Sequence, residues 1–256
     1  MRLFFSYLAM HLKINLEYKI SFILTSFSQV LVMFMEIFSF CAIFDKFKLL
    51  NQYDINELIL TFSIVWLGYS ISEFIGRGFD HFSDLIIDGS FDLLLIRPRN
   101  LYLQILGSNI SFEKTSRIIF AFILFFISIS KLNLNFYSII ALIGMIIGMI
   151  SLIMGLLIIG AAYSFISIQG IEFINVFTNG TKSFGQYPMK IYNKAMKFIF
   201  TFIIPLSLIN YYPIQYIMGY TTNKIYILLP YLVILFLIPA FTLFNIGLRK
   251  YESSGS

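Results

Sequence analysis

The 256-residue sequence is poor in charge and nearly free of cysteine and histidine. It contains one cysteine, Cys41, and two histidines, His11 and His81. A single cysteine forms neither an intrachain disulfide nor a thiolate metal cluster. Charged residues make up 12% of the chain, against about one quarter in a typical soluble domain. These scarcities exclude a disulfide-stapled scaffold and argue against a soluble globular domain.

Several motifs of enzymes are also missing. No Gly-x-x-x-x-Gly-Lys-Ser/Thr motif is present, so the chain lacks that means of cradling a nucleotide phosphate. There is no His-Glu-x-x-His motif, and no Ser/His/Asp set has room to assemble. If the protein moves a substrate uphill, the energy must come from a partner or from an ion gradient.

Long apolar runs dominate the sequence, which is 59% hydrophobic. A bilayer core about 30 Å thick requires about 20 apolar residues in a helix, and lipid forces such runs to be helical because backbone polar groups need partners within the chain. We therefore predict an all-α polytopic membrane protein with one transmembrane domain over residues 1–256. Its six predicted spans cover about 20–44, 58–75, 118–129, 137–166, 195–208 and 225–243.

Among the segments outside these spans, 1–19, 76–117 and 167–194 are the longest. Residues 1–19 are amphipathic and are expected to form a helix in the membrane interface. No cleavable signal is expected, because charges continue up to the first span and that span is longer than a signal-peptide core. Residues 76–117 and 167–194 are predicted to be cytoplasmic, although part of the latter segment could re-enter the membrane.

The distribution of Lys and Arg predicts the orientation. With both termini inside, 14 of the 18 Lys and Arg residues fall on the cytoplasmic side and 4 fall outside. Positive charge is typically enriched in cytoplasmic loops. The net charge of +5 is therefore interpreted as a topology signal and as contacts to lipid headgroups, not as a sign of nucleic-acid binding.

The segment 76–117 is the richest in recognisable sequence features. Asp80, Asp84 and Asp88 recur every four residues and are expected on one helix face. Gly89 is placed to end this helix, and Ser90 is placed to cap a second short helix.

Asp92 would lie in the first turn of that second helix, and Pro98 would stop it. Two short amphipathic helices joined at a glycine suit the docking of a soluble partner. Two alternatives stay open: aspartates that bind Mg²⁺ and a diphosphate, as in membrane transferases, or a solvated interfacial helix without a partner.

Glu36 lies inside the first span, with Gln29 seven residues earlier on the same helix face. A charge at bilayer depth costs roughly 2.5–3.5 kcal/mol on insertion scales, so Glu36 should face a partner or a watery cavity. It is either part of a substrate or proton pathway, or a packing or snorkelling residue. The single tryptophan, Trp66, is interpreted as packing.

Small residues in the fourth span predict close helix packing at Gly144, Gly148 and Gly155. Asn210 and Tyr211 end the fifth span at the outer surface. Tyrosines there are interpreted as interfacial anchors, with a role in an outer gate as the alternative.

In combination, these residues resemble the permease subunits of ABC-2 type ATP-binding-cassette transporters, in particular the six-span bacterial branch with long-unassigned substrates. The resemblance extends over nearly the whole chain. It rests on Gly89-Ser90-Phe91-Asp92 with Leu94-Leu95 and Arg97-Pro98, Asn175-Val176-Phe177 with Phe184 and Tyr187-Pro188, Ile204-Pro205, Tyr211-Tyr212-Pro213, and the tail Tyr251, Ser253, Gly255 and Ser256.

The resemblance implies an exporter subunit in the bacterial plasma membrane that pairs with a second permease, identical or paralogous. Two copies of a separate cytoplasmic ATPase would bind ATP and Mg²⁺ and hydrolyse the ATP. No cofactor is expected in this chain. Segment 76–117 would be the coupling segment that contacts the ATPase. Its coupling candidates are Asp84, Asp88, Phe91, Asp92, Leu95, Arg97 and Pro98.

The predicted function is therefore that of an ABC exporter permease. Its substrate path is expected near Gln29 and Glu36 and toward Asn210 and Tyr211. The alternatives are an aspartate- and Mg²⁺-dependent membrane enzyme and an ion-coupled secondary carrier with Glu36 as its proton site.

Overall fold

A computed structural model describes residues 2–47, 55–132, 134–167 and 170–253, and within these ranges the secondary structure is helical without a strand. The α-helices of the described residues are α1 (Arg2–Glu17), α2 (Lys19–Phe47), α3 (Ile55–Asp80), α4 (Phe82–Ile87), α5 (Ser90–Ile96), α6 (Leu101–Ser108), α7 (Thr115–Ile129), α8 (Phe136–Ser164), α9 (Gly170–Gly185), α10 (Lys194–Phe198), α11 (Leu206–Asn210), α12 (Tyr212–Ile217), α13 (Ile225–Leu232) and α14 (Leu237–Lys250). Gly255 and Ser256, which contribute to the resemblance, and residues 168–169 of the second polar segment lie outside the described residues.

Four helical stretches of the described chain are long and apolar enough to cross a membrane: Lys19–Ala42, Ile55–Ile87, Phe136–Ser164 and Ile225–Lys250. A fifth candidate is a pair of stretches, Lys194–Ile203 and Leu206–Ile217, bent by 88°. The predicted third span corresponds to α7, which has 15 residues and is about 22 Å long. Length and composition therefore support four or five of the six predicted spans.

α3 and α8 form the centre of the bundle and pack along each other. Large apolar side chains such as Trp66, Phe62 and Met145 are fully buried there. By contrast, only 11% of the apolar window of α2 is buried. α2 therefore contacts the rest of the bundle along one stripe and presents its other faces outward.

We call the end of the bundle that holds α4, α5 and the C-terminus of α14 the inner end, and the end that holds the N-terminus of α3 the outer end. Between these two ends, α9 runs antiparallel to α3. Asn179 of α9 accepts a hydrogen bond from Tyr69, whereas Met189, just beyond α9, lines a small cavity together with Leu58 at the start of α3.

This path belongs to segment 167–194, which the sequence predicts to be cytoplasmic or partly re-entrant. The chain from Gly170 to Met189 extends from the inner half of α3 to its outer end. Hydropathy could not show this, because Asn179 and Lys182 make α9 polar while their side chains face partners on α2 and α3.

The predicted fifth span, 195–208, is not a continuous helix. A π-helix over Ile199–Ile203 follows α10, and the chain then breaks at Pro205 before α11. Proline lacks a backbone N–H and clashes with the preceding turn, so it interrupts helices. The result is the 88° bend, which lies beside the outer half of α8.

α1 corresponds to the predicted interfacial helix and packs on α6. The ring of Tyr7 occupies the space that a Cβ atom on Gly107 would need. The carbonyl oxygen of Gly107 lies 3.0 Å from His11 Nε2 and accepts its hydrogen bond. This contact fixes the N-terminal helix to the segment that follows α5.

Candidate functional site

The segment between α3 and α7 is almost entirely helical and contains three short helices, α4, α5 and α6, of which the sequence predicted two. Gly89 has φ 66°, the left-handed conformation that allows the chain to turn between α4 and α5. Ser90 is the first residue of α5 and not its cap, and its Oγ donates to the Leu85 carbonyl oxygen. Asp92 lies in the first turn of α5, which ends before Pro98, as predicted.

The predicted coupling residues divide into two groups. Asp84, Asp88, Leu95, Arg97 and Pro98 are exposed, and Asp92 is partly exposed. Phe91 is 0% exposed and therefore packs inside the molecule. Exposed apolar side chains that the sequence analysis did not select complete the surface: Ile87, Leu93 and Ile96.

The buried side of this segment is an aromatic cluster at the inner end. We call it the inner aromatic cluster; it consists of Phe79, Phe82, Phe91, Phe165, Phe244 and Tyr251. The ring centroids of Phe82 and Phe91 are 4.9 Å apart, and Phe82 lies 5.1 Å from Phe165 at the end of α8. These contacts tie α4 and α5 to α8 and α14.

The C-terminal tail closes over the same cluster. The Tyr251 ring lies 5.1 Å from that of Phe91, and Ser253 Oγ donates a 2.5 Å hydrogen bond to Asp92. Burial, followed by the neighbouring Asp92 carboxylate, raises the pKa of Tyr251.

The three aspartates of the predicted series are not brought together. Asp80 pairs with Arg77 at the end of α3, while an Asp84 carboxylate oxygen lies 2.9 Å from His81 Nδ1. Asp88 is the exposed C-cap of α4. The break at His81 between α3 and α4 separates Asp80 from Asp84 and Asp88, which follow it four residues apart.

Glu36 faces polar partners, as its depth in the span requires. Its Oε1 lies 3.4 Å from Lys182 Nζ, and its Oε2 accepts a hydrogen bond of 3.3 Å from Gln186 Nε2. Both partners lie on or just beyond α9. Lys182 had been assigned to the cytoplasmic side, so the sequence analysis did not identify it as a partner of Glu36.

Two cations lie close to the ring of Trp66. The Lys182 ammonium is 4.5 Å from the centroid of its ring, and the Arg117 guanidinium carbon is 5.4 Å from it. Tyr69 also lies within 6 Å of each cation. Such contacts contribute about 2 kcal/mol when they are desolvated, so Trp66 does more than fill space.

Arg117 continues this arrangement toward the inner end. It pairs with Glu73 of α3, and Lys114 Nζ lies 3.5 Å from the same carboxylate. Burial lowers the pKa of Lys114, and the Glu73 charge opposes that shift. Arg77 lies 4.0 Å from Glu73 and pairs with Asp80.

These contacts form one series, which we call the polar chain; it consists of Glu36, Lys182, Trp66, Tyr69, Arg117, Glu73, Arg77 and Asp80. It extends from α2 and α9 to the end of α3, directly before α4 and α5. It therefore connects a groove on the exposed side of α2, which Glu36 lines, with the inner end of the bundle.

A family model described as ABC-2 family transporter protein matches residues 30–255. The chain belongs to this family. No curated protein and no solved structure is similar enough to count as a match. The protein is accordingly a multi-pass membrane permease of an ABC transporter, and family membership implies association with an ABC ATPase subunit. A transport subunit of this kind is not itself an enzyme.

Two of the remaining predicted path residues of this ABC-2 permease, Asn210 and Tyr211, lie near the end of α9. Asn210 is buried, and its Nδ2 donates to the Gly185 carbonyl oxygen at 3.0 Å. The Tyr211 ring packs edge to face against that of Tyr212. Tyr211 also lines a cavity of about 20 Å³, which is room for one water molecule. Gln29 is partly exposed on α2, two helical turns before Glu36, and is not among the residues that line the groove.

The small residues of α8 in the ABC-2 permease face α13 and the stretch that follows it. A Cβ atom at Gly144 would lie 2.6 Å from the Tyr231 ring, and one at Gly148 would lie 2.7 Å from the Pro230 carbonyl oxygen. A Cβ at Gly155 would lie 2.6 Å from the Phe236 ring. The absent side chains allow these helices to approach closely.

Proposed function

We propose that this ABC-2 permease is the membrane-spanning subunit of an exporter, with its substrate path beside Glu36 and its ATPase contact at the surface of α4 and α5. The observation that carries the proposal is that the coupling segment has one exposed apolar side and one buried aromatic side. Ile96 is 77% exposed at the tip, whereas Phe91, one and a half turns earlier, is 0% exposed in the inner aromatic cluster. A surface of this kind combines an apolar contact for a soluble partner with a rigid attachment to the bundle.

The proposed topology has six crossings and both termini in the cytoplasm. The crossings are α2, α3, α7, α8, α9 and the stretch from α13 to α14. The bent pair between Lys194 and Ile217 would then enter and leave from the outer side without crossing. This assignment keeps six spans, as the sequence predicted, but replaces the fifth predicted span by α9.

In the proposed mechanism, closure of two ATPase subunits on ATP and Mg²⁺ moves α4 and α5. The movement reaches α8 through Phe165 and α14 through Phe244, because both rings pack against Phe82. The polar chain offers a second connection, from Asp80 to Glu36. Such coupling suits an alternation between inward- and outward-facing states.

A second permease, identical or paralogous, would pair along the outward faces of α2. Nearly all of this helix is left uncovered by its own chain, and the groove beside Glu36 opens on the same side. The substrate path would then run between the two permeases. A bacterial plasma membrane is the proposed location.

Affinity purification of the tagged chain from native membranes in mild detergent, followed by mass spectrometry, tests the proposal. We expect a stoichiometric ATPase that is lost in a variant combining Leu93→Ser and Ile96→Ser. The matched control is Ile55→Ser, an equally exposed apolar residue at the outer end, which should retain the ATPase.

Recovery of the chain without an ATPase, under conditions that keep a known ABC complex intact, would contradict the proposal. Transport that persists after ATP depletion but stops when the proton gradient collapses would favour the ion-coupled carrier. Turnover that depends on Mg²⁺ and on Asp84 and Asp88 in the isolated chain would favour the membrane enzyme.

A further inference from the structure

The groove beside Glu36 has the chemistry of a site for an organic cation. Its volume is about 430 Å³, within the range of small-molecule sites, which are about 300–1,000 Å³. Its lining is apolar and aromatic apart from Glu36, two serines and one glutamine. The lining residues are Leu31, Val32, Met35, Glu36, Ser39, Phe40, Ser183, Gln186 and Tyr187.

Glu36 is the charged group that this lining presents. Its side chain is 34% exposed, whereas that of Lys182 is 13% exposed. Lys182 does not line the groove and lies behind the carboxylate, toward Trp66. A molecule in the groove therefore meets a carboxylate among apolar walls.

The position of Lys182 indicates what the site holds when no substrate is bound. Its ammonium contacts the Glu36 carboxylate and lies 4.5 Å and 5.3 Å from the ring centroids of Trp66 and Tyr69. A carboxylate together with aromatic faces is the arrangement that recognises ammonium groups. The lysine thus acts as a resident cation in a preformed cation site.

The contact between the resident cation and Glu36 is long for an ion pair. The distance of 3.4 Å between Lys182 Nζ and Glu36 Oε1 lies beyond the usual range for charge-assisted hydrogen bonds, which is about 2.7–2.9 Å. A competing cation that approaches the exposed side of the carboxylate would therefore not have to break a tight pair.

We propose that the exported substrate is a lipophilic monocation, with Glu36 as its counterion and Lys182 as the resident cation that it displaces. The proposal rests on the proposed transport function and adds the substrate class. Aliphatic and aromatic walls suit an apolar body. A second positive charge would find no further carboxylate in this lining, and uncompensated charge is costly at this depth.

Binding of radiolabelled tetraphenylphosphonium to the purified permease–ATPase complex tests this inference. Glu36→Gln removes the counterion and is expected to weaken binding about tenfold, equivalent to the loss of about 1.4 kcal/mol. Lys182→Met removes the competitor and is expected to tighten binding. The matched controls, Glu17→Gln and Lys13→Met on the exposed side of α1, should leave binding unchanged.

The two variants are expected to change cation binding in opposite directions, and this separates the inference from its rivals. If the groove binds anions, tetraphenylborate binds, Lys182→Met weakens it and Glu36→Gln strengthens it, which overturns the proposal. Equal binding to all variants indicates partition into detergent and also overturns it.

A complex that contains its ATPase but does not bind the cation refutes the substrate class and leaves the transporter function standing. Ser39→Phe supplies an independent test, because it fills the groove without removing either member of the Glu36–Lys182 pair. It must abolish binding if the groove is the site.

Discussion

The Arg117 guanidinium and the Glu73 carboxylate form a hydrogen-bonded ion pair across the contact between α7 and α3. Lys114 and Arg77 approach the same carboxylate to 3.5 Å and 4.0 Å. One acid therefore contacts three cations in a place that is largely shielded from solvent. The stability of this part of the bundle depends more on Glu73 than on any one of the cations.

We expect Glu73→Gln to destabilise the protein more than Arg117→Met does. Removing the acid leaves buried cations uncompensated, which typically costs about 3–5 kcal/mol. Removing Arg117 leaves Glu73 paired with Lys114 and near Arg77. Thermal unfolding of the detergent-purified variants, followed by size-exclusion chromatography, measures the difference.

The control is Glu113→Gln, an acid in the 3₁₀-helix Phe112–Lys114 that directly precedes α7. Its removal should change the unfolding temperature little, because Glu113 makes none of the ion pairs described around Glu73. Equal losses for Glu73→Gln and Arg117→Met would show that the two residues matter only as a pair.

The C-terminal tail should hold the coupling segment in place. In Tyr251→Ala the ring that packs on Phe91 and Phe165 is lost, so α5 should loosen and Arg99 should be cut faster by trypsin. Tyr251→Phe keeps the ring and should match the unsubstituted protein. Cleavage rates followed by mass spectrometry test this, and identical rates in all three proteins would show that the tail does not restrain α5.

Gly148 should not tolerate a side chain. A Cβ atom there would lie 2.7 Å from the Pro230 carbonyl oxygen, and a backbone atom cannot move aside easily. We expect Gly148→Ala to lower the free energy of unfolding by about 1–3 kcal/mol. Gly180→Ala is the control, because the nearest atom to its Cβ would be 3.8 Å away. It should stabilise α9 by about 0.5–1 kcal/mol.

The path of α9 predicts the side on which the following segment lies. In a Cys41→Ser background, a cysteine at Lys194 should react with a membrane-impermeant thiol reagent added to intact cells, as should one at Thr222. A cysteine at Glu252 should react only after the membrane is permeabilised. If the Lys194→Cys variant reacted only after permeabilisation, Lys194 would lie in the cytoplasm, as the sequence predicts. The proposed crossing by α9 would then be contradicted.

Features that depend on local sequence could be predicted. Gly89 adopts the left-handed conformation because it follows a short helix and lacks a Cβ, and Asp92 lies in the first turn of the next helix. Glu36 was expected to face a partner or a water-filled cavity because an unpaired charge in a span is costly, and it contacts Lys182 and Gln186.

Features that depend on distant pairing could not be predicted. Lys182 was counted with the cytoplasmic charges, because hydropathy does not reveal that Glu36, 146 residues away, compensates its charge. Phe91 was chosen as a docking residue, although an amphipathic helix of seven residues does not show which apolar side chains face inward. The spacing of Glu73 and Arg117, 44 residues apart on two helices, gave no signal either.

α2 contacts its own bundle along a single stripe, and most of its surface therefore carries no packing constraint from the rest of the chain. Substitutions on that surface can accumulate without disturbing the core around α3 and α8. If a second permease pairs along α2, as proposed, two descendants of a gene duplication would acquire different pairing preferences by changes in this one helix. The same fold would then pass from self-pairing to mixed assemblies by few substitutions.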